Sequence, residues 1–281
     1  MMSLPKWLKR PARRALEILA PRMLDRWGSI QSRRGIPARY GALQQAVAAH
    51  LFGGRPIGVQ SGPFRGMSYL NAFIWGSITS KWLGSYECEL QGIVEQIVAT
   101  PYARLIDVGC AEGYYAVGLA FRMPALQVVA YDTDFVSRRQ TRALARLNRV
   151  GSRVAVRSLC EASDFRPHVA GRTVVICDIE GFERSLLDPA ASPGLLGMDI
   201  LVEVHEEAWS PTTRNLLVSR FSQTHAVCEV AAAGREAWIA AEGAAVWPPG
   251  EEALLREAVG EDRTNGFRWL WLTRSPHPAG G

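Results

Sequence analysis

Residues 104–116, Arg-Leu-Ile-Asp-Val-Gly-Cys-Ala-Glu-Gly-Tyr-Tyr-Ala, set an acid, Asp107, two residues ahead of a Gly109-x-x-x-Gly113 turn. An apolar run from Leu105 to Val108 leads in and an amphipathic helix leads out, so the joint brings a ligand against bare backbone. Amides of the loop and of the first helical turn are expected to face that ligand with partial positive charge, which suits a carboxylate or phosphate. A dinucleotide fingerprint needs glycines at 109, 111 and 114, where this chain has Gly109, Ala111 and Tyr114. A Walker loop needs Gly-Lys-Ser/Thr at its end, and none follows. A second apolar run, Gln127 to Tyr131, ends in Asp132, placed to accept hydrogen bonds from two ribose hydroxyls. Asp134 competes for that role but reads better as the N-cap of the next helix.

The form Asp-x-Gly-x-x-x-Gly resembles the first motif of class I S-adenosylmethionine (SAM)-dependent methyltransferases. Cys177-Asp178-Ile179-Glu180-Gly181-Phe182-Glu183, after a strand at Thr173 to Ile176, is similar to the Asp-x-Glu-Gly-x-Glu signature of FkbM-type methyltransferases. Gly84-Ser85-Tyr86-Glu87 with Glu89-Leu90 upstream, and Glu203-Val204-His205 downstream, also match, so the likeness spans roughly residues 60–275 in order. The resemblance implies SAM as cofactor and O-methylation of a hydroxyl on a sugar, glycolipid or secondary metabolite. It implies cofactor contacts at Asp107, Gly109, Cys110, Gly113, Tyr114 and Asp132, with Glu161 beside the adenine and Tyr86 and Glu87 near the cofactor or substrate. Ala111 departs from the glycine many methyltransferases carry there, a change expected to cost little.

Methyl transfer from a sulfonium is an in-line displacement that needs an aligned nucleophile, a proton acceptor and exclusion of water. Asp178 and Glu180 follow one strand and Glu203 and His205 end the next. Neighbouring strands, which the resemblance implies, would bring the four together. His205 is then the candidate base, oriented by Glu203 or Glu180, with Asp178 nearest SAM. The alternative gives Asp178, Glu180, Glu203 and His205 to a divalent cation, magnesium, calcium or manganese, that acidifies the hydroxyl. No Asn/Asp-Pro-Pro-Tyr/Phe segment stands at residue 178, which argues against transfer to nucleobase amines.

Strands near 104–108, 127–131, 153–157, 173–177 and 199–205 alternate with helices and must carry these residues. His225 to Ala231 and Arg268 to Thr273 are expected to close the sheet as a hairpin-like pair. The fold class expected is α/β: a Rossmann-like class I methyltransferase sheet, mostly parallel with an antiparallel final strand, behind a helical N-terminal extension. Three segments follow: a basic helical extension (1–50), a hairpin with helices covering the site (51–98), and the SAM-binding domain (99–275). The hairpin is expected across Ile57 to Tyr69, turning at Ser61-Gly62-Pro63.

A chain of 281 residues can bury a core of this size. The net charge of +5 is concentrated: residues 1–40 hold ten Lys/Arg against Glu17 and Asp25, and the rest of the chain is slightly acidic. Charges interrupt every apolar run there, which excludes a signal peptide, and no stretch approaches the ~20 apolar residues of a membrane span. A stripe of Leu16, Leu19, Ala20, Met23, Leu24 and Trp27 reads first as a helix docked on the enzyme body. A peripheral contact of residues 1–40 with anionic lipid is the second reading. Five cysteines without Cys-x-x-Cys spacing suit reduced thiols in the cytoplasm, the localisation expected, with or without attachment to the inner membrane face. The stripe Arg138, Arg142, Arg146 and Arg149 reads as a solvated helix face, so a nucleic-acid partner is not expected. The competing functions are an RNA methyltransferase holding phosphates with the basic N-terminus, and a non-catalytic SAM-binding or membrane-associated scaffold.

Overall fold

The computed structural model describes residues 35–72, 76–167, 171–206, 212–261 and 268–275. The stripe from Leu16 to Trp27 lies outside them. Seven strands form one sheet: β1 (Tyr102–Val108), β2 (Gln127–Tyr131), β3 (Val154–Arg157), β4 (Arg172–Cys177), β5 (Asp199–Val204), β6 (His225–Ala231) and β7 (Arg268–Arg274). Their order is β3-β2-β1-β4-β5-β7-β6. The first five pair in parallel, and β7 runs antiparallel to both β5 and β6. This is the α/β, Rossmann-like class I methyltransferase sheet that the strand–helix alternation and the resemblance led us to expect.

Central strands β4 and β5 are buried along nearly their whole length, and β1 from Leu105 to Val108, because both faces of the sheet are covered. Successive residues therefore enter opposite cores. Leu105, Val174 and Leu201 join one, with Val47, Phe64, Trp82 and Trp269. Ile106, Val175 and Ile200 join the other, with Phe165, Phe221 and Leu272. The first core runs from Val47 to Trp271, so helix α1 (Ile36–Phe52), the covering segment and the sheet are packed as one body.

Two helices of the covering segment matter for the site, α2 (Thr79–Leu83) and α3 (Gln91–Ala99). The hairpin expected at Ile57 to Tyr69 is a single antiparallel bridge, Gly58 to Ser68, and no ladder forms. Apolar burial overrides strand pairing there: Phe64 and Met67 turn inward, and Phe64 lies so close to Gly118 that a Cβ would meet its ring at 2.6 Å. The pair β6–β7 forms as expected, but helical turns over Arg235–Trp238 and Glu252–Ala258 lie between the two strands and pack Trp238 and Leu255 into the first core.

Helix α4 (Tyr114–Arg122) leaves the glycine turn, and α5 (Phe135–Leu147) follows β2. Asp134 caps α5, accepting the Ser137 N–H at 2.7 Å, so it is the N-cap. The arginine stripe on α5 is partly tied to backbone: Arg138 donates to the carbonyls of Asp132 and Thr133, and Arg142 to that of Val156. No helix among the described residues is long and apolar enough to cross a membrane.

Candidate functional site

The site lies beyond the carboxyl ends of β1, β2, β4 and β5, where an open parallel sheet leaves a crevice. Gly109 has φ +84°, and a Cβ built on it would sit 1.7 Å from the Asp178 carbonyl oxygen. The bare backbone thus seats the β4 loop against the β1 loop as well as admitting a ligand. Gly113 (φ +96°) then starts α4.

The loop amides do not all face a ligand, contrary to expectation. Gly109 and Cys110 donate to the Tyr131 carbonyl at 2.8 and 3.0 Å, and Ala111 donates to Asp132 Oδ2 at 2.9 Å. A loop that pins itself to the next strand has spent those donors. Ala111 also has φ +46°, so the alanine costs more than expected, about 1–2 kcal/mol for a left-handed L-residue. Ala111→Gly is expected to raise stability by up to about 1 kcal/mol after the larger chain entropy of glycine is offset, measurable as a higher Tm.

A cavity of about 740 Å³ opens here, lined by Gly109, Ala111, Tyr131 to Asp134, Ser158 to Cys160, Asp178 to Glu180 and Phe182. Asp132 faces it, and its other oxygen accepts the Asp134 N–H at 2.7 Å. Burial lifts the Asp132 pKa to about 6 against the opposing pull of those two N–H groups. Glu161 is not in the wall. Its side chain caps the turn Ala162–Asp164 while Leu159 and Cys160 line the cavity, because a carboxylate beside free N–H groups satisfies them first.

Asp107 is only 3 % exposed, accepts the Ala116 N–H, and has its pKa raised to about 8 by burial. It shapes the turn from inside. A second cavity of about 40 Å³ shares Gly109, Ala111 and Asp178 with the first and adds Lys81, Tyr86, Asp107, Cys110, Tyr114, Tyr115 and Trp269. Glu87 lines neither cavity: it is buried, and Tyr115 donates its hydroxyl to Glu87 Oε2. Glu261 accepts the Glu87 N–H at 3.1 Å, and with Glu89 it grips Arg235.

The expected acidic cluster does assemble, since β4 and β5 are neighbours. His205 Nε2 lies 3.3 Å from Glu180 Oε2, 3.6 Å from Asp178 Oδ1 and 3.6 Å from Glu203 Oε2. Its other nitrogen, Nδ1, is held at 2.8 Å by Glu183 Oε1, and not by Glu203 or Glu180 as expected. Glu183 also accepts the N–H groups of Ile179 (3.3 Å) and Gly181 (3.0 Å), which folds the loop through Glu180 at φ +54°. Sequence reasoning quoted Glu183 in the signature but gave it no role. Its signal was an acid that must be buried at the start of a helix, Glu183–Leu186.

Burial disfavours the His205 cation, yet Glu183, Asp178 and Glu180 outweigh it and raise the pKa. Asp178 is raised to about 6, first by burial and then by the Glu87 charge. Asp178 lines both cavities, whereas His205 and Glu203 stand behind it. Asp178, Glu203 and His205 also each present a ligand atom within 4.8 Å of the others, a geometry with room for one cation. Carboxylate and imidazole donors suit a hard or borderline divalent ion.

No family model matches the chain. Ribosomal RNA small subunit methyltransferase B of Xanthomonas campestris is 26% identical over 214 residues, 73% of this chain and 46% of its own, so the chain spans less than half that relative. Similar solved structures include a putative O-methyltransferase from Klebsiella pneumoniae (12% identity, TM-score 0.42, covering 66% of this chain and 79% of that one). Another is an O-methyltransferase from Bacillus cereus in complex with S-adenosylhomocysteine (12%, TM-score 0.41, 66% and 80%). A third is a SAM-dependent methyltransferase from Geobacter sulfurreducens, also with S-adenosyl-L-homocysteine (14%, TM-score 0.41, 67% and 90%). These likenesses concern the fold, which the strand order of the chain itself establishes.

Proposed function

We propose that the chain is a SAM-dependent methyltransferase of the FkbM type that methylates a hydroxyl on a sugar, glycolipid or secondary metabolite. The observation that carries the reading is the 740 Å³ cavity whose lining includes both Asp132 and Asp178, together with Gly109 of the turn. Asp132 faces the ribose and Leu159 and Cys160 flank the base. Asp178, the acid that reaches the cavity, accepts the proton of the acceptor hydroxyl. His205 shares that proton from behind, and Glu183 fixes the imidazole through Nδ1.

Calorimetric titration of S-adenosylhomocysteine tests the cofactor half. Wild-type protein binds it, and Asp132→Ala weakens binding at least about tenfold, the scale of losing hydrogen bonds to a charged acceptor. Part of that loss comes through the turn, because Asp132 also fastens Ala111. A folded, ligand-free wild type that does not bind overturns the proposal.

A second reading keeps the cofactor and gives Asp178, Glu203 and His205 to a divalent cation, favoured by their convergence. Turnover that disappears on dialysis against EDTA and returns with magnesium or manganese would select it. The curated relative favours a third, RNA as acceptor. In that case binding falls steeply with salt and depends on residues 1–40. The ties of Arg138 and Arg142 to backbone carbonyls count against the α5 stripe as its phosphate track.

A further inference from the structure

We propose that the end of α5 remote from the cavity docks on an anionic lipid surface, where Arg65, Arg146 and Arg149 take headgroup phosphates and Leu147 and Phe121 enter the interface. Such docking is independent of what the cavity binds.

The first observation is charge without compensation. Residues 135–160 hold seven arginines and no aspartate or glutamate, so beyond Arg138 no acid three or four positions away offsets the charge along α5. Arg138 and Arg142 are spent on carbonyls, and Arg157 lies 3.4 Å from Asp164. Arg153 donates to the carbonyls of Ala120 (2.7 Å), Met123 (3.0 Å) and Leu126 (3.2 Å). Arg139, Arg146 and Arg149 are exposed, and their guanidinium groups have no partner among the described residues. Arg149 stands at φ +58° just past the helix, where glycine or asparagine is usual, so a charge is kept at a position that strains an arginine.

A second, independent observation is what packing gathers around that helix end. Asn148 donates to the Ser68 carbonyl at 2.8 Å and accepts the Ser68 N–H at 2.9 Å. That pair seats the loop of Arg65, exposed and likewise without a guanidinium partner among the described residues, beside Arg149. The Arg153 bonds fasten the end of α4 to the turn that follows α5 and bring Phe121 to the same edge. Leu147 is 48 % exposed and Phe121 37 %. Glu95, an acid near the end of α4, is held by both Arg122 nitrogens at 3.0 Å and so is not left to neutralise the arginines. Unpaired arginines around exposed apolar side chains match an anionic bilayer, which takes cations at its phosphates and apolar groups among its acyl chains. RNA would use the cations but not Leu147, which offers a base no ring face. A second copy related by a two-fold axis would set arginine against arginine. The 13 residues of α5 rise about 20 Å from Asp134 on the cavity wall, so docking face and cavity lie at opposite ends of the helix.

The full chain is sedimented with vesicles of phosphatidylcholine alone and of phosphatidylcholine mixed with phosphatidylglycerol. Wild type is expected to bind the mixed vesicles only, and less tightly as salt is raised. Each arginine near an anionic surface contributes about fivefold, so the triple variant Arg65→Gln, Arg146→Gln, Arg149→Gln loses about 100-fold. Leu147→Gln keeps every charge and is expected to lose about fivefold to tenfold, a change that a merely solvated basic face would not show. These residues line neither cavity, so the melting point and any binding of S-adenosylhomocysteine should stay as in wild type. Failure of wild type to bind the mixed vesicles, or equal binding of both kinds, overturns the proposal. So does undiminished binding by the triple variant, which would put the attachment elsewhere in the chain, residues 1–40 included. Polyuridylate that binds wild type but not the triple variant, with no vesicle binding, would make the face a nucleic-acid interface and overturn it as well.

Discussion

Asp178→Asn is expected to lower turnover by about 10²–10⁴-fold, the usual worth of a positioned proton acceptor, with little change in S-adenosylhomocysteine affinity. Asparagine matches the shape of the acid but cannot take a proton. Asp178 is the member of the acidic cluster that lines both cavities, and burial with the nearby Glu87 charge holds it at about 6, close to an operating pH. His205→Ala is expected to cost a similar factor, because removing either member of a unit that acts together costs nearly the whole effect. His205 Nε2 stands 3.6 Å from Asp178 Oδ1, so each charge bears on the other's proton and kcat/KM should rise with pH through apparent values that belong to both.

The direction of change in a third variant follows from the sign of one shift. Glu183 raises the His205 pKa, favouring the cation. Glu183→Gln withdraws that charge, so the imidazole loses its proton at lower pH and the acid limb of the profile moves down. Release of S-adenosylhomocysteine, followed against pH once an acceptor is found, checks all three. Full turnover by Asp178→Asn would dismiss this acid as the proton acceptor.

Gly109→Ala is expected to be the most damaging single methyl group that can be added to the site. The residue sits at φ +84°, which costs an alanine about 1–2 kcal/mol. The new Cβ would also fall 1.7 Å from the carbonyl oxygen of Asp178, a backbone atom that cannot step aside as a flexible side chain would. Overpacking of this kind adds about 1–3 kcal/mol, so the total approaches half the stability of a marginal domain. The expected readout is a melting point lower by about 5–15 °C, taking 2–4 °C per kcal/mol for a chain of this size. The β4 loop carries Asp178 and Glu180, so cofactor binding should be lost along with stability. A variant that melts with wild type would mean that the two loops separate more easily than their contact suggests.

Much of the scaffold was legible because parallel strands buried on both faces leave uninterrupted apolar runs. The run Thr173 to Ile176 lies within β4, and His225 to Ala231 is β6 residue for residue. Asp134 could be read as a cap because capping is a local bond to an N–H three residues away. The segment from Ile57 to Tyr69 was misread for the opposite reason. Its alternation suits a hairpin, but Phe64 gains more by packing over Gly118 than by standing in a ladder.

The linear order of residues by itself determined the strand–turn–helix joints, the acids that end β2 and β4, and the meeting of Asp178 with Glu203 and His205 once the strands are neighbours. These depend on period, on turn chemistry and on the rule that ligands gather at the carboxyl ends of parallel strands. Tertiary structure alone decided that Glu183 holds His205, that the turn amides bond to β2, and that Lys81 reaches Glu112 across 31 positions of chain. Each of those joins a polar group that burial has stripped of water to whichever partner packing brings within 3 Å. Packing at that scale is set by the whole core, so no stretch of sequence specifies the partner.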